Sequence, residues 1–330
     1  MSDAVLKVEG LRTHFFTDDG QIPAVDGVDF AINEGEILGV VGESGCGKSV
    51  TSLSIMGLLP KPPGDIVDGR ILYDGQDLAK LPEKKMRRIR GNDIGMIFQE
   101  PMTSLNPVYT IGDQLLEAIR LHNKWSKSQS REKAVELLEL VGLPRAEEML
   151  RDYPHQLSGG MRQRVMIAIA MACDPKVLIA DEPTTALDVT IQKQILNLMK
   201  DLNSHTGTAI MLITHDLGVV AQMCERIVVM YSGKIVEQGY VRDIFKHPQH
   251  PYTKGLIQSV PDMRKHKDRL YSIQGNVPNP GSIQQGCHFA PRCDFATDQC
   301  LTVTPELEMT GEHHSVRCLR HKEIREEQYE

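Results

Sequence analysis

The rhythm of apolar and polar positions changes several times along the chain. LKV (6–8) suggests a short strand, and AVDGVDFAI (24–32) alternates with period two. NEGE (33–36) follows as a turn, and ILGVV (37–41) is an unbroken apolar run, the pattern of a strand buried on both faces. VTSLSIMGL, after a glycine-rich stretch, has helical spacing. Residues 110–172 are mostly helical in pattern, punctuated by Gly142, Pro144 and Pro154. VLIAD (177–181) and AIMLIT (209–214) predict two more buried strands, with a helix over IQKQILNLMKDL (191–202) between them. RIVVMYSGKIVEQG (226–239) predicts a hairpin turning at Ser232-Gly233. Strands alternating with helices predict an α/β core with a mostly parallel sheet. From about residue 246, Pro, His and Cys rise and the periodicity fades. The expected division is therefore a main domain over 1–245, with a helical subdomain at about 100–172, and an extension over 246–330.

Composition adds exclusions. The 330 residues are 41% hydrophobic and 25% charged, ordinary values for a globular protein with a sizeable core. A formal net charge of −7 argues against a free nucleic-acid binder. The start, MSDAVLKVEG, lacks a basic segment followed by an apolar one, so no secretory signal is expected. The apolar runs are far too short to span a bilayer, so membrane association would run through a partner or a surface patch. MRRIR (86–90), preceded by Lys84 and Lys85, reads as a solvated helix face or a site for an acidic partner surface.

The chemistry concentrates in a few short stretches. GESGCGKS (42–49) matches the phosphate-binding pattern G-x-x-x-x-G-K-[ST], and it follows a predicted strand and opens a predicted helix. In that context Gly42, Gly45 and Gly47 let the backbone wrap phosphates, Lys48 offers a cation to the β- and γ-phosphates, and Ser49 offers a hydroxyl to Mg²⁺. Ser44, Cys46 and Val50 are expected against the nucleotide as well. Asp181 ends a buried strand, where its carboxylate can reach Mg²⁺ through water. Glu182 follows at once and can address a water in line with the γ-phosphate. LSGGMRQR (157–164) is a second anion site by pattern, since Ser158, Gly159 and Gly160 stand ahead of a basic helix.

Taken in order, GESGCGKS, Gln99 in MIFQEP, LSGGM, LIADEP, ALD (186–188) and His215 in ITHD resemble the motif set of ATP-binding cassette (ABC) ATPases, over roughly residues 5–245. The resemblance implies an ABC-type nucleotide-binding domain that hydrolyses ATP with Mg²⁺ and pairs head to tail with a second ATPase subunit. Ser158, Gly159 and Gly160 would bind the γ-phosphate of the partner's ATP. Gln99 would touch Mg²⁺ and the attacking water, and His215 the γ-phosphate. Asp188 would couple the two sites, and Glu182 would act as base or water-positioning residue. Phe16, or else Phe15, would stack on adenine. Two departures stand out: Met161 ends LSGGM where the family usually has Gln, and the stacking aromatic is Phe rather than Tyr.

The tail narrows the resemblance. HPQHPYTKGL (247–256) reads on its own as a loop-to-helix junction. It is similar to the HP-x-HPYT segment of oligopeptide/dipeptide importer ATPases and their nickel and glutathione relatives. This implies two transmembrane permease subunits as partners, an extracytoplasmic solute-binding protein indirectly, and no nucleic acid. The second ATPase would be a related subunit or another copy, and the site of action the cytoplasmic face of the membrane. Rival readings are a non-transport ABC ATPase and an iron–sulfur redox protein. The interval from Lys48 to Asp181 leaves no room for the coiled coil of DNA-repair relatives, and the intact Lys48, Asp181 and Glu182 oppose a purely redox role. Four of the seven cysteines crowd the tail as C-x5-C-x6-C-x17-C: Cys287, Cys293, Cys300 and Cys318. These residues could hold a [4Fe–4S] cluster or one Zn²⁺, or remain free thiols. The wide spacings and the likeness to importer members with a cluster in this region favour [4Fe–4S].

Overall fold

The structure, a computed structural model, describes residues 4–18, 20–99, 104–185, 187–260, 271–283 and 285–326. The chain divides into two units: Met1–Leu6, Ile32–Glu36 and Lys80–Leu212 form one, and Lys7–Ala31, Ile37–Ala79 and Ile213–Glu330 the other.

The second unit carries two sheets. In the first, β1 (Ala4–Thr17) lies between β2 (Gly20–Asn33) and β4 (Gly64–Tyr73), with β5 (Gln76–Asp77) outside β4. The three-residue strand expected at LKV is thus a fourteen-residue strand. The sequence reading missed β4, because acidic residues and glycines interrupt its apolar pattern. Gly69 explains one interruption: a Cβ there would meet Gly10 O and Leu11 Cα, both at 2.6 Å, so only glycine lets β4 approach β1 so closely. The other sheet holds β3 (Ile37–Val41), every residue buried, parallel to β9 (Arg226–Tyr231) with Leu38 opposite Arg226 and Val41 opposite Val229. β10 (Lys234–Tyr240) returns antiparallel from β9 through Ser232 and Gly233, with Lys234 opposite Tyr231. Both turn residues have positive φ, 44° and 79°, which suits the right-handed twist of a two-residue hairpin.

The strand order continues as β10, β12 (Ser315–Val316) and β11 (Glu308–Met309), so the C-terminal segment extends the same sheet, with Glu237 opposite Val316. Tyr252 and Phe289 from that segment pack in one apolar cluster with Val41, Val229 and Tyr231.

In the first unit the strand order is β8 (Ala209–Thr214), β7 (Val177–Asp181) and β6 (Ile94–Ile97). β6 and β7 are parallel, with Ile94 opposite Val177. Helices fill the region expected to be helical. Ile111–His122 starts with a capping box, Thr110 accepting from Asp113 N, and buries Ile111, Leu115 and Ile119 at four-residue intervals. Lys127–Leu140 starts with Ser126 and Gln129 in the same arrangement and buries Ser130, Ala134, Leu137 and Leu138. The helix Val189–Thr206 covers the segment predicted between β7 and β8. Among the described residues no helix is long and apolar enough to cross a membrane.

Candidate functional site

The loop after β3 is shaped by close backbone approach. A Cβ on Gly42 would run into the Met230 carbonyl oxygen and lie 2.6 Å from Cys46 Sγ, and one on Gly47 would lie 2.5 Å from Ala24 O. The loop therefore sits tightly against β9 and β2, and its outer arc, Ser44 and Gly45, is exposed. Lys48, 5% exposed, turns inward, and its Nζ donates to Gly42 O at 2.8 Å and Glu43 O at 3.1 Å. Among the described residues no side chain caps the helix Lys48–Met56, and its first turn holds no acid. An uncapped helix start beside a buried ammonium, with backbone wrapped around both, fits a polyphosphate. Ser49 and Val50 are half-buried in the first turn of that helix. Cys46 points under the loop rather than outward. Its thiol is buried, and burial raises its pKa.

β7 delivers Asp181, buried, at its C-terminal end. Glu182 comes next with φ of 47°, a left-handed conformation unusual for a side chain of this size. Two donors meet its carboxylate: Gln99 Nε2 at 3.1 Å and Thr185 Oγ1 at 2.9 Å, both reaching Oε2. Gln99 and Glu182, 83 positions apart, are thereby brought together.

Ser158 is the N-cap of the helix Gly159–Ala170, its hydroxyl accepting from Met161 N at 3.3 Å, and Gly159 is exposed. Gly160 has a packing role that the sequence reading missed. A Cβ there would come within 2.8 Å of Ile191 Cγ2, so the glycine also lets the helices Gly159–Ala170 and Val189–Thr206 approach. Asp188 caps the second of these, accepting from Ile191 N at 2.9 Å. Ala186 of the ALD stretch lies outside the described residues. His215 is exposed directly after β8. Phe16 is 52% exposed, whereas Phe15 lies against Gly64.

The tail cysteines require a correction. Cys287, Cys293, Cys300 and Cys318 do line one pocket, with His250, Phe289 and Leu319 among its walls. The free space there is about 20 Å³, room for about one water. Burial raises the thiol pKa of Cys293 to about 11 and of Cys318 to about 12, and also raises that of Cys287. Among the described residues, no group of three or more His, Cys, Asp or Glu is placed to hold a metal ion. The expected [4Fe–4S] cluster, and the zinc alternative, are therefore not supported: spacing along the chain reports neither the size of the void nor the polarity of its walls.

Sequence reasoning also missed Glu237. This glutamate in β10 is fully buried, and its carboxylate accepts from Gln249 N (2.6 Å), His250 N (3.0 Å) and His314 Nε2 (2.7 Å). An acidic residue directly after the apolar pair Ile235–Val236 of a predicted hairpin strand was the available signal. His250, also buried, is kept neutral by burial, with a pKa lowered to about 3, and its Nδ1 accepts from Tyr252 N at 3.1 Å. The HPQHPYT stretch is thus a helix start: His250 is the cap, and Pro251 occupies the first position of Pro251–Ser259.

A mixed α/β chain with a strand–loop–helix closed on a buried lysine defines a P-loop nucleotide-binding protein. Residues 25–185 match the ABC transporter family, and residues 236–300 match the oligopeptide/dipeptide transporter C-terminal region. The chain is 54% identical over 324 residues to the oligopeptide transport ATP-binding protein AppD of Bacillus subtilis, covering 98% of this chain and 99% of that one. It is 48% identical to the dipeptide transport ATP-binding protein DppD of Escherichia coli, covering 96% of each. The dimeric, post-hydrolysis structure of the ATP-binding cassette MJ0796 bound to ADP and Pi is similar with a TM-score of 0.65 and 29% identity, over 72% of this chain and 99% of that one. The chain belongs to the ABC transporter family, among the ATP-binding proteins that carry the oligopeptide/dipeptide C-terminal region.

Proposed function

We propose that this protein is the ATP-hydrolysing subunit that powers import of di- and oligopeptides through an ABC transporter. The observation that carries the reading is likeness to peptide-import ATP-binding proteins across nearly the whole chain, from the phosphate loop through the tail. In this reading Lys48 and the loop amides bind the β- and γ-phosphates, and Phe16 stacks on adenine. Ser49, Gln99 and Asp181 would hold Mg²⁺, which when bound neutralises charge on the phosphate oxygens. Glu182 positions the attacking water and accepts its proton. The contact between Gln99 and Glu182 supports their acting on the same water. His215 addresses the γ-phosphate. Ser158, Gly159 and Gly160 meet the γ-phosphate bound by a second ATPase subunit, and Asp188 couples the two sites. That second subunit would be a related chain or another copy of this one.

The pair would act on two transmembrane permease subunits at the cytoplasmic face of the membrane, and a solute-binding protein outside would deliver the peptide. Residues 1–245 would form the nucleotide-binding domain, with a helical subdomain at about 100–172, and residues 246–330 a C-terminal extension.

The test is uptake of labelled di- and oligopeptides in cells lacking the gene, rescued with wild type or Glu182→Gln. Wild type should restore uptake and Glu182→Gln should not. The purified variant should bind ATP while hydrolysing it about 100-fold or more slowly. Peptide uptake unaffected by loss of the gene would overturn the cargo assignment, and wild-type turnover by Glu182→Gln would overturn the role of that residue.

A further inference from the structure

Glu43, the second residue of the phosphate loop, is gripped at three of its groups. Its N–H donates to Tyr252 Oη at 2.8 Å. Its carboxylate takes both terminal nitrogens of Arg292, at 2.7 and 3.0 Å. Its carbonyl accepts from Lys48 Nζ at 3.1 Å. The first two partners come from the C-terminal segment, more than two hundred positions away, and the third is the lysine to which the proposed function assigns the β- and γ-phosphates.

Neither tail partner is free to drift. The Arg292 side chain is only 4% exposed. Its Nε donates to Gln274 O at 2.9 Å, and Nη1 also reaches Tyr231 Oη at 3.3 Å. A forked, doubly bonded guanidinium fixes direction as well as charge. Tyr252 is fully buried, its ring edge-on to Tyr231 at 4.7 Å and tilted against Phe289 at 5.4 Å. Its backbone is held by His250, and the N–H groups of Gln249 and His250 by Glu237. The chain of contacts runs from a buried carboxylate, through the HPQHPYT helix start, to the phosphate loop.

The phosphate-binding pattern leaves this position open to any residue, so the pattern itself does not account for the grip. We propose that Tyr252 and Arg292 are positioning residues for the nucleotide site: through Glu43 they set the path of the phosphate loop and the direction of Lys48, so the C-terminal segment tunes ATP affinity. The inference rests on reading residues 42–49 as the ATP phosphate loop. Tyr252→Phe removes one acceptor with little change of volume. Arg292→Met removes the fork and the charge, and Arg292→Lys restores the charge alone.

The experiment is equilibrium binding of Mg·ATP to the full chain, with steady-state ATP hydrolysis by the assembled transporter and thermal denaturation alongside. Tyr252→Phe and Arg292→Met should each weaken ATP binding about tenfold, the loss expected for one hydrogen bond to a charged group or one orphaned buried donor. KM for ATP should rise by more than kcat falls, and Arg292→Lys should recover part of the affinity. A lowered melting temperature with unchanged ATP affinity would make the tail a structural prop and overturn the proposal, as would a fall in kcat alone. If Arg292→Met does not fold, Tyr252→Phe decides by the same criteria. Lys48→Ala separates the two levels. If it binds ATP like wild type, the phosphate-loop reading itself fails. If it loses binding while both tail variants keep it, only the positioning role fails.

Discussion

Replacing Glu237 should unfasten the C-terminal segment, and the size of the effect can be worked from its three hydrogen bonds. In Glu237→Ala the N–H groups of Gln249 and His250, both in buried residues, lose their acceptor, and His314 Nε2 loses its partner. Each orphaned buried donor costs about 1–3 kcal/mol. The three costs overlap as the neighbours relax, so a loss of about 3–5 kcal/mol is expected. Glu237→Gln keeps the volume and one acceptor oxygen but turns an N–H toward a donor. That variant should lose about 1–3 kcal/mol. Urea unfolding of the full chain measures both through the shift in midpoint. Amide exchange at Gln249 and His250 localises the loss, because those two N–H groups should exchange faster while the β3–β9 ladder keeps its protection. A loss below about 1 kcal/mol for Glu237→Ala would refute the reasoning, since the orphaned-donor cost alone exceeds it. Equal losses for Ala and Gln would refute the assignment of separate bonds to the two carboxylate oxygens.

Two further outcomes follow from the same geometry. His250 is neutral in the fold, with a pKa of about 3 caused mainly by burial and secondarily by Arg317, while in the unfolded chain it titrates near its ordinary value of 6.5. Between those values the unfolded chain binds a proton that the fold refuses, so stability is retained above about pH 6.5 and lost as pH falls, by about 2 kcal/mol at pH 5. His250→Asn keeps a capping side chain and should flatten that part of the pH profile, and identical urea-midpoint profiles for the two proteins would contradict it. Gly42→Ala should abolish ATP binding, because its Cβ meets the backbone carbonyl of Met230 and the Sγ of Cys46, whereas Gly45→Ala has open space and carries only the strain of its φ of 79°. Mg·ATP titration of both variants checks this, and equal affinities would refute the close-approach argument.

Much of the fold was readable locally. The run ILGVV is buried throughout, the hairpin turns at Ser232-Gly233, and capped helices occupy the region beyond residue 110. Each depends on spacing within a few residues, which is where backbone geometry is set. β4 was not legible, because its Gly69 answers to the backbone of β1 rather than to its own neighbours. The cysteine tail misled for a related reason: the interval between thiols limits which could meet, and tertiary packing brought them together around a void of about 20 Å³ with burial-raised pKa values.

By itself, then, the sequence determined the strand–loop–helix that places Lys48 under a phosphate-shaped loop, and the acid pair Asp181–Glu182 at a strand end. In both, chemistry and backbone geometry lie on one contiguous stretch. Only the tertiary structure decided that Gly160 is required by Ile191, that Glu237 fastens the HPQHPYT helix start, and that Tyr252 and Arg292 close on Glu43. Those facts join residues separated by tens to hundreds of positions. A one-dimensional pattern carries no information about which distant groups share a desolvated space, and desolvation is what gives their hydrogen bonds and ion pairs their strength.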